Sequence, residues 1–351
     1  MRILLIKMSS MGDVFHTFPA LSDAQLNLPG LVVDWVVEES FSQIANWHPI
    51  IDKVYPIKLR AWRKSVFSAD TRSEMKTFFE TLNQTKYDLV IDAQGLLKSL
   101  WVGKKINAPI AGYDWASIRE PLASLFYQYK YPVSKNLHAI ERIRELFALS
   151  LGYRLEDNAP IIYGLNTQAW LKPSVLTDDI LDQPYVVFLH GTTWETKYWP
   201  EENWIALRHK MEAEGLTVIL PWGNEEERLR ANRIASHAQN DHTPQGGIRA
   251  WVPERSLTVN EVAQILNFAK GVVSVDTGLS HVAASLEVPM VVMYRVTDPK
   301  LVGADGSKVI RLSSPCAPLY LKKFTKPDQV KTSLKGLGVK EVLDQLGVCK
   351  S

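Results

Sequence analysis

Short apolar runs with no polar interruption recur along this chain, each followed by a small-residue turn and a helical stripe. A run of this kind is buried on both faces, and runs that alternate with helices pair as parallel strands in a doubly wound sheet. The first run, Ile3–Lys7, precedes the stripe Phe15, Phe18, Leu21, Ala24 and Leu28, which Pro29-Gly30 stops. Further runs fall at Val32–Val37, Val54–Ile57 and Leu89–Ile91, with helical patterns at Asp70–Lys86 and Asn136–Leu151. The rhythm lapses over 154–178, where Pro160 and Pro173 lie, and restarts at Tyr185–Leu189. Strands are expected again at Leu216–Leu220, Val272–Val275 and Met290–Tyr294, and helices after Pro200, at Glu225–Ala238, Glu261–Ala269 and Ser280–Leu286. The pattern predicts two α/β domains, 1–160 and 179–325, joined by a linker at 161–178. Residues 326–351 are expected to form a helical segment packing back toward the N-terminal domain. Ligands of open α/β sheets bind beyond the carboxyl ends of the strands, here expected in a cleft between the domains.

A chain of 351 residues is long enough for two domains of ordinary size. Its 40 Lys and Arg against 38 Asp and Glu leave a net charge of +2, which argues against a dedicated nucleic-acid binder. Two cysteines, Cys316 and Cys349, build neither a disulfide framework nor a thiolate zinc site, which suits a reducing compartment. Lys7 cuts the N-terminal apolar run too short for a secretion signal, and no run reaches the ~18 to 20 residues of a membrane span. A cytoplasmic protein with at most peripheral membrane contact is expected. The charge is locally uneven: Lys58, Arg60, Arg63 and Lys64 cluster around Trp62, which reads as exposed, and suit a phosphorylated or carboxylated ligand. There are also 11 tryptophans, several of them beside candidate site segments.

Four segments carry the chemistry. Lys7-Met8-Ser9-Ser10-Met11-Gly12-Asp13 follows the first strand with one glycine, where a dinucleotide fingerprint needs three. Asp13 therefore reads either as a helix cap or as a general base. His190-Gly191-Thr192-Thr193-Trp194-Glu195-Thr196-Lys197 follows the first strand of the second half, its hydroxyls and ammonium suited to phosphate oxygens. Trp222-Gly223-Asn224-Glu225-Glu226-Glu227 opens a helix with acids, of which Glu225, nearest the strand, is assigned to ribose hydroxyls. Val275-Asp276-Thr277-Gly278-Leu279-Ser280-His281 runs from a buried strand into a helix start, an anion nest with His281 in the first turn.

Together these segments resemble the ADP-heptose:lipopolysaccharide heptosyltransferase family. The matching stretches are SSMGDVFHTFPALSDAQ, DWVVEE, VIDAQGLLKS, REPLASLFY, HAIERIRELFALSLGY, HGTTWETKYWPEENW and VVSVDTGLSH, in order along nearly the whole chain. SSMGD with REPLASLFY resembles the type I branch more than type II. The resemblance implies a GT-B fold, with two Rossmann-like domains facing a central cleft. It also implies an inverting transfer of L-glycero-D-manno-heptose from ADP-heptose to a Kdo residue of Kdo-lipid A, without cofactor or required metal. A monomer on the cytoplasmic face of the inner membrane is expected.

By the same resemblance Asp13 is the general base and Lys197 assists departure of ADP. Thr192, Thr193, Lys197, Asp276, Thr277, Gly278 and His281 bind the donor, with Glu225 on ribose. Arg60, Arg63, Lys64, Arg119 and His138 fall where acceptor contacts belong. Two departures stand out. Tyr294-Arg295-Val296-Thr297-Asp298-Pro299 replaces the family's usual Tyr-Gly-Pro-Thr-Asp-Pro, which implies an altered backbone beside the donor. Arg255 stands where a methionine often meets the adenine, and a guanidinium would stack there instead. Competing readings are a type II-like transferase, a nucleotide-sugar epimerase or hydrolase, and a non-catalytic nucleotide-sugar sensor. A Rossmann oxidoreductase ranks last because the glycine fingerprint is missing.

Overall fold

The computed structural model describes residues 1–167, 170–236 and 250–347. Cys349, Lys350 and the end of the expected helix Glu225–Ala238 lie outside the described residues. The chain divides into two compact units, Met1–Asn166 and Thr167–Ser351.

The first unit holds a six-stranded sheet of β1 (Arg2–Ile6), β2 (Val32–Glu38), β3 (Ile51–Ile57), β4 (Leu89–Asp92), β5 (Ile110–Tyr113) and β6 (Tyr129–Tyr131), in the order β3-β2-β1-β4-β5-β6. Every pairing is parallel. β1 is buried from Ile3 to Ile6 and β4 throughout, as strands covered on both faces must be. The second unit repeats the plan with β7 (Tyr185–Leu189), β8 (Thr217–Ile219), β9 (Ala250–Trp251), β10 (Gly271–Val275), β11 (Met290–Tyr294) and β12 (Val309–Ser313). Its order is β12-β11-β10-β7-β8-β9, again all parallel. Both orders are the doubly wound arrangement whose direction reverses beside the first strand, between β1 and β4 in one sheet and between β7 and β10 in the other. Crevices for ligands open at such switch points, beyond the strand ends.

Several expectations shift in detail. The stripe read as one helix after β1 is two, Met11–Phe15 and Phe18–Asn27. Pro19 sits in the first turn of the second, where its missing N–H costs nothing. Strands β5, β6, β9 and β12 are too short or too mixed in polarity to stand out from sequence.

Part of the expected linker belongs to the first unit. The buried Arg144 guanidinium pairs with Asp23 at 2.6 Å and donates to the carbonyls of Ala159 and Pro160. Tyr163 is buried, and Gly164 has φ +69°. A Cβ on Gly164 would lie 2.4 Å from Ser22 Oγ and 2.7 Å from His48 Nε2. Gly164→Ala therefore combines a left-handed backbone penalty with overpacking. It is expected to cost about 2 to 4 kcal/mol, read as a lower urea midpoint at unchanged slope.

The C-terminal segment is part of the second unit. Its helices Pro327–Ser333 and Val339–Leu346 belong to the second unit, and Leu337, Val342 and Leu346 are buried in that unit's core with Trp199, Trp204 and Phe188. Trp199 Nε1 donates to the Leu337 carbonyl at 2.6 Å, so this tryptophan is a core anchor. Trp35, Trp199 and Trp204 are all fully buried, so three of the 11 tryptophans fill the two cores.

Candidate active site

In the first unit the turn after β1 lies at the β1/β4 switch point. The helix Met11–Phe15 starts there with Ser10 as its N-cap and Asp13 in its first turn. Asp13 Oδ2 accepts from the Ser10 amide at 2.6 Å and from Ser10 Oγ at 3.1 Å. Its Oδ1 lies 3.2 Å from Lys7 Nζ, while the Asp13 side chain keeps 34% exposure. Desolvation pushes the Asp13 pKa up, but the charge of Lys7 and the Ser10 hydrogen bonds outweigh it and hold the carboxyl below its ordinary value. The capping and base readings are thus compatible: Asp13 caps the helix and remains an accessible, ionised carboxylate.

The carboxyl end of β4 braces this turn. Lys7 Nζ donates to the Ala93 carbonyl at 3.1 Å. Gln94 Oε1 accepts from the amides of Met8 and Ser9, and Lys98 Nζ donates to Ser9 Oγ. Lys7 and Gln94 escaped the sequence reading because a strand-end lysine and a loop glutamine have no pattern of their own. The signal was topological: β1 and β4 flank the switch point.

Among the expected acceptor contacts, Arg60, Arg63 and Lys64 lie exposed on the helix Leu59–Lys64 and form no ion pair among the described residues. Trp62 corrects the expectation of an exposed ring. It is 4% exposed, donates to Glu74 at 2.8 Å and packs edge-on against Phe78. The helix is anchored by its tryptophan and presents the cations on the opposite side. Arg119 is exposed. His138 caps the helix Ala139–Leu151, its Nδ1 accepting from the Ile140 amide, with its ring 5.5 Å from that of His16.

In the second unit the loops after β7 and β10 meet at the other switch point. Lys197 Nζ lies 2.7 Å from Asp276 Oδ2, both side chains largely buried. Thr192 Oγ1 donates to the Asp276 carbonyl at 2.8 Å, and Thr297 Oγ1 donates to the Asp276 carboxylate. Asp276 thus orients the lysine and locks the two loops together. Thr193 stays exposed, and Thr277 is the N-cap of the helix Gly278–Ser285, whose first-turn amides point out of the helix end. His281 is buried one turn in. The Lys197 ammonium also lies 4.7 Å from the Trp194 ring centre, with Lys322 5.4 Å from the same ring.

The acid beside this loop is Glu227. Residues two apart on a helix point about 200° away from each other, so Glu225 and Glu227 cannot share a task. Glu225 is exposed and paired with Arg228 at 2.6 Å. Glu227 accepts from the Gly223 amide, and its carboxylate lies 2.5 Å from where a Cβ on Gly191 would stand. Arg255 lies 2.6 Å from Glu261 and is exposed, so its guanidinium is already engaged by the helix Val259–Asn267.

Arg295 gives the departure after β11 a physical form. It is 6% exposed, donates to Ser333 Oγ and the Tyr198 carbonyl, and stacks 5.2 Å from the Phe324 ring. Burial lowers its pKa to about 10. In place of a Gly-Pro turn, a guanidinium ties the Lys197 loop to the C-terminal helices.

A model described as glycosyltransferase family 9 (heptosyltransferase) matches residues 75–332. The chain belongs to glycosyltransferase family 9. Lipopolysaccharide heptosyltransferase 1 of Pseudomonas aeruginosa is 45% identical over 93% of this chain and 88% of its own length. The Escherichia coli K12 protein of that name is 44% identical over 90% and 94%. Among solved structures, E. coli heptosyltransferase WaaC with ADP superposes with a TM-score of 0.81 at 42% identity, covering 95% of this chain and 99% of that one. The same enzyme with ADP-2-deoxy-2-fluoro heptose gives 0.80 at 40% identity and 98% coverage of both. This family 9 glycosyltransferase is built on two doubly wound sheets, with a carboxylate at one switch point and an anchored lysine at the other.

Proposed function

We propose that this enzyme moves L-glycero-D-manno-heptose from ADP-heptose onto a Kdo residue of Kdo-lipid A, with inversion, in assembly of the lipopolysaccharide inner core. The observation that carries the reading is the Lys197–Asp276 pair held by Thr192 and Thr297 at the β7/β10 switch point, beside a helix start suited to a diphosphate. The ADP and ADP-sugar named in the WaaC structures support it.

Glycosyl transfer passes through an oxocarbenium-like transition state, as in glycoside hydrolysis. Asp13 takes the proton of the attacking Kdo hydroxyl. Its depressed pKa is no obstacle, because the hydroxyl becomes acidic only as its oxygen bonds to the anomeric carbon. Lys197, Thr193 and the amides at Thr277–Gly278 take up the charge growing on the β-phosphate. Glu227 holds the ribose hydroxyls, and Arg60, Arg63, Lys64 and Arg119 meet the anionic acceptor. His138 and His281 shape the walls of their sites, and Arg255 borders the adenine. No metal is required, and the enzyme acts as a monomer at the cytoplasmic membrane surface. No helix of the described residues is long and apolar enough to cross a membrane.

Purified protein given ADP-heptose and Kdo-lipid A should release ADP only when both are present, at a rate unchanged by EDTA. ADP release without acceptor would instead support a hydrolase.

Two further results are expected. Glu227→Gln should raise the donor KM roughly tenfold, the cost of one charge-assisted hydrogen bond, while Glu225→Gln stays within about twofold. Steady-state kinetics at saturating acceptor distinguishes the two. Lys7→Met removes the charge that holds the Asp13 pKa down and leaves the desolvation that raises it. The acid limb of kcat/KM should therefore move to higher pH in the variant.

A further inference from the structure

We propose that the exposed apolar surface formed by residues 115–129 of the first unit is where this protein lies on an anionic lipid bilayer. Trp115, Leu122, Leu125, Phe126 and Tyr129 are each at least 50% exposed, while Ala123 and Tyr127 between them are buried. A monomeric protein scatters its exposed apolar residues, and so dense a group marks a contact surface. Its position is fixed by the sheet. The segment leaves the carboxyl end of β5, where the Glu120 amide donates to the Gly95 carbonyl just beyond β4, and returns to the amino end of β6, where the Gln128 amide donates to the Ile110 carbonyl. Asp13 stands beyond β1 on the edge where the segment begins, and Lys98, next to the exposed Leu97, reaches Ser9 in the Asp13 turn.

Charge decides which occupant fits. Lys98, Arg119, Lys130 and Lys135 are exposed around the apolar group and form no ion pair among the described residues. The acids flanking Trp115 and Arg119 are held by backbone amides: Asp114 accepts from the Ser117 amide at 2.8 Å and Glu120 from the Leu97 amide at 2.6 Å. What the segment and its neighbours expose is therefore apolar and cationic, with Trp115 and Tyr129 of the kind that settle at the membrane–water boundary. A second copy of this chain would bring the same cations against themselves, so self-association is disfavoured.

The placement of the acceptor beside this surface rests on the proposed function, but bilayer binding is measured without any substrate. Full-length protein is floated with phosphatidylethanolamine–phosphatidylglycerol vesicles and with phosphatidylcholine vesicles. Wild type should float with the anionic vesicles and fall away at high salt. Leu122→Ser/Leu125→Ser/Phe126→Ser should cut the bound fraction at least tenfold, and Lys130→Gln/Lys135→Gln should weaken binding to anionic vesicles alone. If the triple variant melts early, Phe126→Ser by itself carries the comparison. On a deacylated, water-soluble Kdo acceptor the triple variant should keep wild-type turnover, and on vesicle-embedded acceptor it should lose at least tenfold. Equal flotation of wild type and triple variant overturns the proposal. So does a wild-type protein that ignores vesicles, or one that is a dimer which the triple substitution dissociates. Failure of wild type on the soluble acceptor would instead count against the heptosyl-transfer reading.

Discussion

Asp13→Ala is expected to lower turnover by ~10²- to 10⁴-fold, the range that a positioned general base supplies. Binding of ADP should barely change, since Asp13 belongs to the first unit and the anchored lysine to the second. The size of the effect follows from what cannot replace the carboxylate. Asp13 is the group in its turn that pairs with Lys7, and Ser10 already spends its amide and hydroxyl on it. Alanine also leaves the Lys7 ammonium, itself 7% exposed, without its counter-ion, so some loss of stability should accompany the kinetic defect. Asp13→Asn separates the two. It keeps the shape, an acceptor for the Ser10 amide and an amide oxygen beside the Lys7 ammonium, so it should melt above the alanine variant while turnover is still lost. A turnover near wild type in either variant would remove Asp13 from the mechanism.

Lys197→Ala is expected to act on binding and rate together. A well-placed donor to a developing charge contributes about 3 to 4 kcal/mol, so kcat should fall by ~10²- to 10³-fold. The donor KM should rise as well if, as proposed, the ammonium meets phosphate already in the ground state. The neighbouring carboxylate deepens the defect. With the lysine gone, Asp276 stands near an incoming diphosphate with Thr297 as its remaining side-chain donor, and like charges repel. Asp276→Asn added to Lys197→Ala should therefore recover part of the lost donor affinity, although Asp276→Asn alone should be harmful. Purely additive losses in steady-state kinetics of the three variants would show that the pair does not act as a unit.

The parts of this molecule that were legible in its sequence are those governed by local pattern. β1, β4, β7, β10 and β11 read as buried strands because nearly every residue in them is apolar, and the turn segments after β1, β7 and β10 carried their polar residues at the strand ends. What escaped depends on packing between segments far apart in sequence. Trp62 sits among arginines and reads as exposed, yet Glu74 and Phe78 on the following helix take it inward. Trp199 reads as part of a binding loop, but a carbonyl at Leu337 fixes it in the core, and the same contact assigns the C-terminal helices to the second unit. Proximity to a strand end favoured Glu225, whereas the helix turns Glu227 toward Gly191. Arg295 shows the same limit. Its substitution for a small turn residue was visible, but its bond to Ser333 spans 38 residues and has no local signature.

The central claim is a single inverting displacement on an ADP-activated heptose by a Kdo hydroxyl. It is tested most directly with ADP-heptose labelled with carbon-13 at its anomeric carbon and followed by nuclear magnetic resonance in the presence of Kdo-lipid A. The label should pass from the donor into a new heptosyl–Kdo linkage of opposite anomeric configuration, and only when acceptor is present. A linkage of retained configuration, or label released as free heptose, would contradict it.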